Sequence, residues 1–215
     1  SHFIRLTAAL LTIATLTGTS ACGGSNSSSQ STQDTVATNK LTVATGEPAY
    51  EPWVIDNKPE SGKGYESALV YAIADQLGYS KNQVEWRRTT FDAAIAPGTK
   101  DWDLNIQQFS ITDQRKKAVD FSPSYYNPTQ SIVIRGDSKY ASATSLSDFK
   151  GATVGAMVGT TSYDYAKQKL STSVQTFNDN ATLAQALDAD QIDALVMDTP
   201  AAVNVATSSQ VKNGK

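Results

Sequence analysis

Arg115 is the side chain in this sequence whose setting most calls for a chemical role. It stands in Gln107-Gln108-Phe109-Ser110-Ile111-Thr112-Asp113-Gln114-Arg115, shortly before Val119-Asp120-Phe121-Ser122. The segment reads as a strand end, a short turn and a helix opening at Thr112. The Thr112 hydroxyl is a good N-cap, because it accepts from free backbone N–H groups of the first turn. Asp113 suits the positive end of that helix. Arg115 then falls near the third helical position, where a cation is electrostatically misplaced. A planar fork of donors beside a helix N-terminus is built to hold a carboxylate. The competing reading is a surface salt bridge, since most charged side chains sit on solvated faces.

Three further places meet the same description. Ligands of open α/β sheets bind beyond the carboxyl ends of strands, where loops and helix N-termini converge. In Met157-Val158-Gly159-Thr160-Thr161-Ser162 an apolar strand ends, a glycine turns the chain, and Thr160 or Thr161 caps a helix whose free N–H groups can take an anion. Plain capping explains the same residues. Asp198 follows the buried-looking run Ala194-Leu195-Val196-Met197 and precedes Thr199-Pro200, an N-cap and first-position pair. Its carboxylate can accept from an ammonium or simply serve the helix start. The fourth place is the loop over 46–64, which carries Glu47, Tyr50 and Trp53. Trp53 there serves a site or a core.

Ser-Ile-Thr-x-x-Arg followed by Val-Asp-Phe-Ser resembles the signature of the family 3 extracytoplasmic solute-binding proteins, the polar amino-acid receptors of ABC importers. The resemblance runs from about residue 41 to about residue 206, over several separate segments. It implies a two-lobe periplasmic-binding fold of type II, an α/β architecture, and an amino-acid ligand. By the same resemblance Arg115, with Ser110 before it, grips the ligand α-carboxylate. Thr161, and less directly Thr160, hold that carboxylate from the second lobe, in the segment that Met157 opens. Asp198 binds the α-amino group. The aromatic at Tyr50 packs on the ligand side chain, and Glu47 matches an often acidic position near it. Gln107 and Gln108 depart from the small Ser or Thr common in the family. Two long amides there favour a neutral polar side chain such as glutamine over lysine or arginine, because an amide both donates and accepts.

Composition sets the outer bounds. The 215 residues are 40% hydrophobic and 18% charged, as in an ordinary globular protein. The formal charge of −3, with no basic patch interleaved with aromatics, speaks against nucleic-acid binding. The single Cys and the single His both lie near the N-terminus, so no disulfide framework, zinc site or Cys–His or Ser–His–Asp constellation can be assembled in the mature domain. No metal or cofactor is expected, and catalysis would have to run on carboxylates, Tyr, Lys or Arg.

The elements that must position these residues alternate. Strands are expected at 41–45, 84–88 and 103–108, with a helix over 65–77 whose apolar stripe is Leu69, Ala72, Ile73 and Leu77. A short helix capped by Thr90 is also expected. Gly78 sits where a residue just past a helix end belongs. Another strand follows at 130–135. The β-α order then restarts with strands at 152–157, 174–177 and 194–197 and helices at about 162–170, 181–188 and 200–207. This is the pattern of two sheets with helices on their faces. The division expected is lobe 1 over 40–132, a hinge over 133–138 and lobe 2 over 139–215. Relatives in this family continue further and cross back to lobe 1, so the chain reads as C-terminally truncated.

Residues 1–21 read as a secretory signal, with Arg5 as its positive region and a short apolar run after it. Thr19-Ser20-Ala21-Cys22 resembles a bacterial lipobox, which makes Cys22 the lipidation site and 22–39 a polar tether. The chain is thus expected to be a monomeric lipoprotein, membrane-bound through its lipid alone, on the extracytoplasmic face of a bacterial cell membrane or in the periplasm, with an amino acid and an ABC permease as partners. Two alternatives remain: a cyclohexadienyl dehydratase-like enzyme on the same fold, in which Glu47 and Asp198 are the carboxylates near the cleft, and a sensory surface lipoprotein.

Overall fold

The computed structural model describes residues 34–170 and 173–215. The expected secretory leader, Cys22 and most of the tether lie outside the described residues. The tether's last residues do not behave as a free linker: Val36 N–H donates to Asp103 Oδ1 at 2.8 Å, which fastens them to the first lobe.

The first lobe is built on a parallel three-stranded sheet in the order β2-β1-β3, formed by β1 (Leu41–Gly46), β2 (Val84–Thr89) and β3 (Leu104–Asn105). β1 is buried along its whole length, as a central strand covered on both faces must be. The expected third strand, 103–108, pairs for only two residues. Beyond it Gln107 and Gln108 leave the ladder, and Gln108 takes a left-handed φ of +55°.

Helix α1 (Tyr65–Gln76) ends as its sequence requires. Tyr79 N–H donates to Ala74 O at 2.8 Å and Gly78 N–H to Asp75 O at 3.0 Å. Gly78 supplies the positive φ, +84°, that this ending needs. The buried face differs from the expected stripe. Glu66, Ser67, Val70 and Ala74 face inward, while Ala72 and Leu77 are exposed and Leu69 and Ile73 half-buried. The face is rotated because Glu66 is buried rather than solvated: its carboxylate accepts from Gln108 and from Tyr125. Val70 and Ala74 then pack with Leu41, Val43 and Ile106. The short helix expected after Thr90 is α2 (Phe91–Ile95), and Thr90 Oγ1 caps it by accepting from Ala93 N–H at 3.3 Å.

The second lobe carries a four-stranded sheet, β4-β7-β5-β6, from β4 (Gln130–Ile134), β5 (Val154–Met157), β6 (Val174–Phe177) and β7 (Ala194–Asp198). β4 runs antiparallel to β7, and the other pairs are parallel. The unbroken apolar run of β7 is explained by its two covered faces. Leu195 and Met197 join Leu183, Leu187 and Val205 of α4 (Asn180–Asp188) and α5 (Thr199–Thr207). Ala194 and Val196 join Val154, Phe149 and Ala166 of α3 (Thr161–Lys169) on the other side. Period-two alternation sends successive residues to opposite faces.

β4 belongs wholly to this second sheet, so the crossing lies upstream of the expected 133–138. Tyr125 still bonds Glu66 in the first lobe, whereas Thr129 O already accepts from Thr199 N–H in the second. The chain passes over between these two residues. All described residues belong to one compact unit.

Candidate functional site

Strands β1, β2, β3, β5, β6 and β7 each deliver a loop or helix start to one cavity of about 220 Å3 between the two sheets. That is below the roughly 300–1,000 Å3 of pockets for drug-sized ligands, so it suits a small solute. All eleven residues singled out from the sequence line it: Glu47, Tyr50, Trp53, Gln107, Gln108, Ser110, Arg115, Met157, Thr160, Thr161 and Asp198. Their chemical settings differ from expectation in several cases.

Arg115 does not start a long helix. It opens a single 3-10 turn, Arg115–Lys117, and Thr112 Oγ1 accepts from its N–H at 3.2 Å. Thr112 is thus not the N-cap expected: Gln114 holds that position, without a side-chain cap, and Thr112 bonds the Arg115 N–H from further upstream. The guanidinium is instead placed by packing: it lies 5.4 Å from the ring centre of Phe91 and 5.2 Å from that of Phe109, which stack at 4.1 Å. Its Nη1 donates to Ser110 O and its Nη2 to Gly159 O, each at 2.9 Å. Burial pulls the Arg115 pKa down, and the charges of Asp164 and Asp198 hold it up.

Across the cavity Thr160 is the N-cap of α3. Its Oγ1 accepts from Tyr163 N–H at 3.1 Å and donates to Met157 O at 2.7 Å. The hydroxyl of Thr160 is therefore used within its own lobe. Thr161 Oγ1 lies 3.2 Å from Ser110 Oγ of the other lobe. The N–H groups of Thr161 and Ser162 open the helix and have no intrahelical acceptor. Gly159, at φ +73°, makes the turn that brings them to the cavity wall.

Asp198 does not cap α5 through its side chain. Its Oδ1 accepts from Gln130 Nε2 at 2.6 Å. Burial raises its pKa above the ordinary aspartate value, against the Gln130 hydrogen bond and the Arg115 charge.

The loop over 46–64 is held by Arg88, whose Nη1 donates to Gly46 O at 2.7 Å and to Asn57 Oδ1 at 2.8 Å. Arg88 also pairs with Glu47 at 3.6 Å. Trp53 is both core and cavity wall: it is 4% exposed and meets Tyr65 and Tyr126 edge-on. Tyr50 reaches the second lobe, where its hydroxyl accepts from Ala181 N–H at 3.3 Å. Burial pushes the Tyr50 phenol up to about 12, the Ala181 hydrogen bond opposes this, and the Asp179 charge adds to it.

The two glutamines are not free amides. Gln108 gives its Nε2 to Glu66 Oε2 and its backbone N–H to Glu66 Oε1 at 3.0 Å. Gln107 Oε1 accepts from Asn105 Nδ2 at 3.2 Å and its Nε2 donates to Thr89 O at 3.4 Å. Both amides thus have partners inside the first lobe, which weakens the ground for expecting a glutamine-like side chain. Glu66 is completely buried beneath Gln108, and burial pushes its carboxyl up to about 7 against hydrogen bonds from Tyr125 and Gln108.

Phe91 and Asp179 are among the cavity residues that lie outside the sequence expectation. Each follows a strand of a parallel pair and starts a helix, so the rule that selects the other four places covers them too. Asp179 also corrects the expectation that Glu47 and Asp198 are the carboxylates near the cleft. Among the described residues no group of three or more His, Cys, Asp and Glu is placed to hold a metal ion, and no helix is long and apolar enough to cross a membrane.

A cavity lined from two α/β lobes joined by a short crossing is a cleft of the size to enclose a small solute. Residues 41–191 match the bacterial extracellular solute-binding proteins, family 3, and the chain belongs to that family. It is 31% identical to the arginine-binding extracellular protein ArtP of Bacillus subtilis (strain 168) over 199 residues, 91% of this chain and 71% of that protein. It is 29% identical to the L-cystine-binding protein TcyJ of Escherichia coli (strain K12), covering 74% of this chain and 59% of TcyJ. Among solved structures, an ancestral arginine-binding protein bound to glutamine superposes with a TM-score of 0.68 at 31% identity, over 83% of this chain and 78% of that one. The ancestral amino acid-binding protein AncCDT-1, a precursor of cyclohexadienyl dehydratase, gives 0.67 at 32% identity, over 79% of this chain and 75% of that one.

Proposed function

We propose that this protein captures a polar α-amino acid between its lobes and hands it to an ABC importer, from a lipid anchor on Cys22. The observation that carries the reading is that Arg115 of the first lobe and Asp198 of the second line one cavity. An α-amino acid presents a carboxylate and an ammonium on one carbon, and these two side chains are their complements. The Arg115 fork and the N–H groups of Thr161 and Ser162 receive the carboxylate. Asp198 receives the ammonium. Ser110, Tyr50, Trp53 and Met157 close the walls, and the hydroxyl of Thr160 stiffens the turn beneath. Glu47 stays with Arg88 at the rim.

Charge-assisted hydrogen bonds contribute about 1.5–3 kcal/mol each, so two of them supply a large share of the roughly 8 kcal/mol that micromolar affinity requires. Ligand contacts on both lobes favour the closed arrangement, which makes capture a hinge population shift. A thermal-shift panel of the twenty amino acids tests the reading: a subset raises the melting temperature in a saturable way, and no response to any of them contradicts it.

A second reading, dehydration of a cyclohexadienyl compound, is favoured by the likeness to AncCDT-1 and by Asp179 as a further cavity carboxylate. Turnover of such a compound by the purified protein separates it from simple binding.

A further inference from the structure

Three cavity-lining carboxylates have to be accounted for, together with Arg115. Glu47 is paired with Arg88 at 3.6 Å. On the reading above, Arg115 and Asp198 are satisfied by the two charged groups that every α-amino acid carries. Asp179 is left. No ion pair among the described residues includes it. It is half-buried, and its Oδ1 accepts from Thr182 N–H at 2.8 Å and from Thr182 Oγ1 at 3.1 Å. Its carboxylate also interacts with the phenol of Tyr50 across the cleft, by charge and by a side-chain hydrogen bond, which leaves its negative charge unneutralised. Ala181, two residues further on, donates its N–H to the Tyr50 hydroxyl at 3.3 Å, so Asp179 stands on the stretch of cavity wall that meets Tyr50.

We propose that Asp179 determines specificity at the side-chain end of the cavity and selects an amino acid with a cationic side chain. This rests on the amino-acid reading and names the ligand class within it. The physical reason is desolvation. Closing the cleft over a neutral side chain removes water from a carboxylate and returns no charge to it, which is costly. A guanidinium or ammonium returns a charge-assisted hydrogen bond instead. Tyr50 supports the arrangement by presenting its ring along the same wall. The glutamine amides are partly spent elsewhere, on Glu66, Asn105 and Thr89.

Asp179 is also the N-cap of α4, so the test must keep the cap and remove the charge. Asn and Ser cap about as well as Asp. Arginine and citrulline give the matching ligand pair, nearly equal in shape and different in charge. Calorimetry on the full-length protein is expected to show arginine bound at least about tenfold tighter than citrulline, the size of one charge-assisted contact. Asp179→Asn and Asp179→Ser are expected to bring that ratio to about one, chiefly by weakening arginine, with the melting temperature of the ligand-free protein little changed. An arginine-to-citrulline ratio that survives in both variants overturns the assignment of Asp179. A wild type that prefers citrulline overturns it without any variant. A wild type that binds neither these nor any other amino acid overturns the amino-acid reading itself, and this inference with it.

Discussion

Arg115 Nη2 donates to Gly159 O at 2.9 Å, so the guanidinium of one lobe is bonded to the turn that starts α3 in the other. Nη1 meanwhile holds Ser110 O, and the ring pair Phe91 and Phe109 keeps the group against the cavity wall. A guanidinium has five donors, so two carbonyl bonds leave others for a ligand. Arg115→Ala is expected to weaken amino-acid binding at least about a hundredfold, and Arg115→Lys at least about tenfold, because an ammonium cannot fork. Calorimetry beside a melting curve checks this. Near-native affinity in either well-folded variant contradicts the role.

Asp198→Asn is expected to weaken α-amino acids strongly and their deaminated analogues far less, since only the ammonium contact is lost. The same side chain gives a pH dependence. Its pKa is raised, so protonation begins at higher pH than for an ordinary aspartate, and affinity should start to fall there as pH is lowered. Titrations of both ligand types between neutral and acid pH check both statements. Equal losses for the two ligand types show a structural role instead.

Glu66 should leave a signature on stability. Its carboxyl titrates near 7 in the fold against 4.5 in the open chain. The folded state therefore holds the proton more tightly. The resulting stabilisation is complete below about pH 4.5, falls as pH rises through about 7, and is gone above that. Each tenfold gain in proton affinity is worth about 1.4 kcal/mol, which makes the whole span on the order of 3 kcal/mol. Glu66→Gln is expected to flatten that slope, with Gln108 turning its amide to offer oxygen. Urea unfolding across this range, on variant and wild type, decides it; identical slopes place the titration elsewhere.

Cys22→Ala is expected to move the protein from the membrane fraction to the soluble extracytoplasmic one, because a lipid is the attachment proposed. Unchanged fractionation points to a different anchor.

The strands and helices of the second lobe are legible in the sequence because each carries a local signal: an unbroken apolar run for β7, Thr160 before α3, Pro200 at the start of α5. The cavity-lining residues are legible because loops and helix starts converge at strand ends, and those ends can be read. What escapes depends on contacts distant in sequence. Glu66 looks like a solvated helix residue until Gln108 and Tyr125 are brought to it, and so the inward face of α1 departs from its apolar stripe. Gln107 and Gln108 look available until their partners are seen. The crossing lies earlier than expected because β4 reads equally well as a bridge or as a full member of the second sheet, and only its pairing with β7 decides. Asp179 is hidden by its plain role as a helix cap.

The central claim is that the cavity recognises the two charged groups of an α-amino acid. The direct measurement is calorimetric titration of the wild type with its tightest-binding amino acid and with the amine left by decarboxylating that amino acid. The account predicts roughly micromolar affinity for the first and a loss of about a hundredfold or more for the second, since Arg115 and the α3 N–H groups then face no carboxylate. Equal affinity for the two would contradict it.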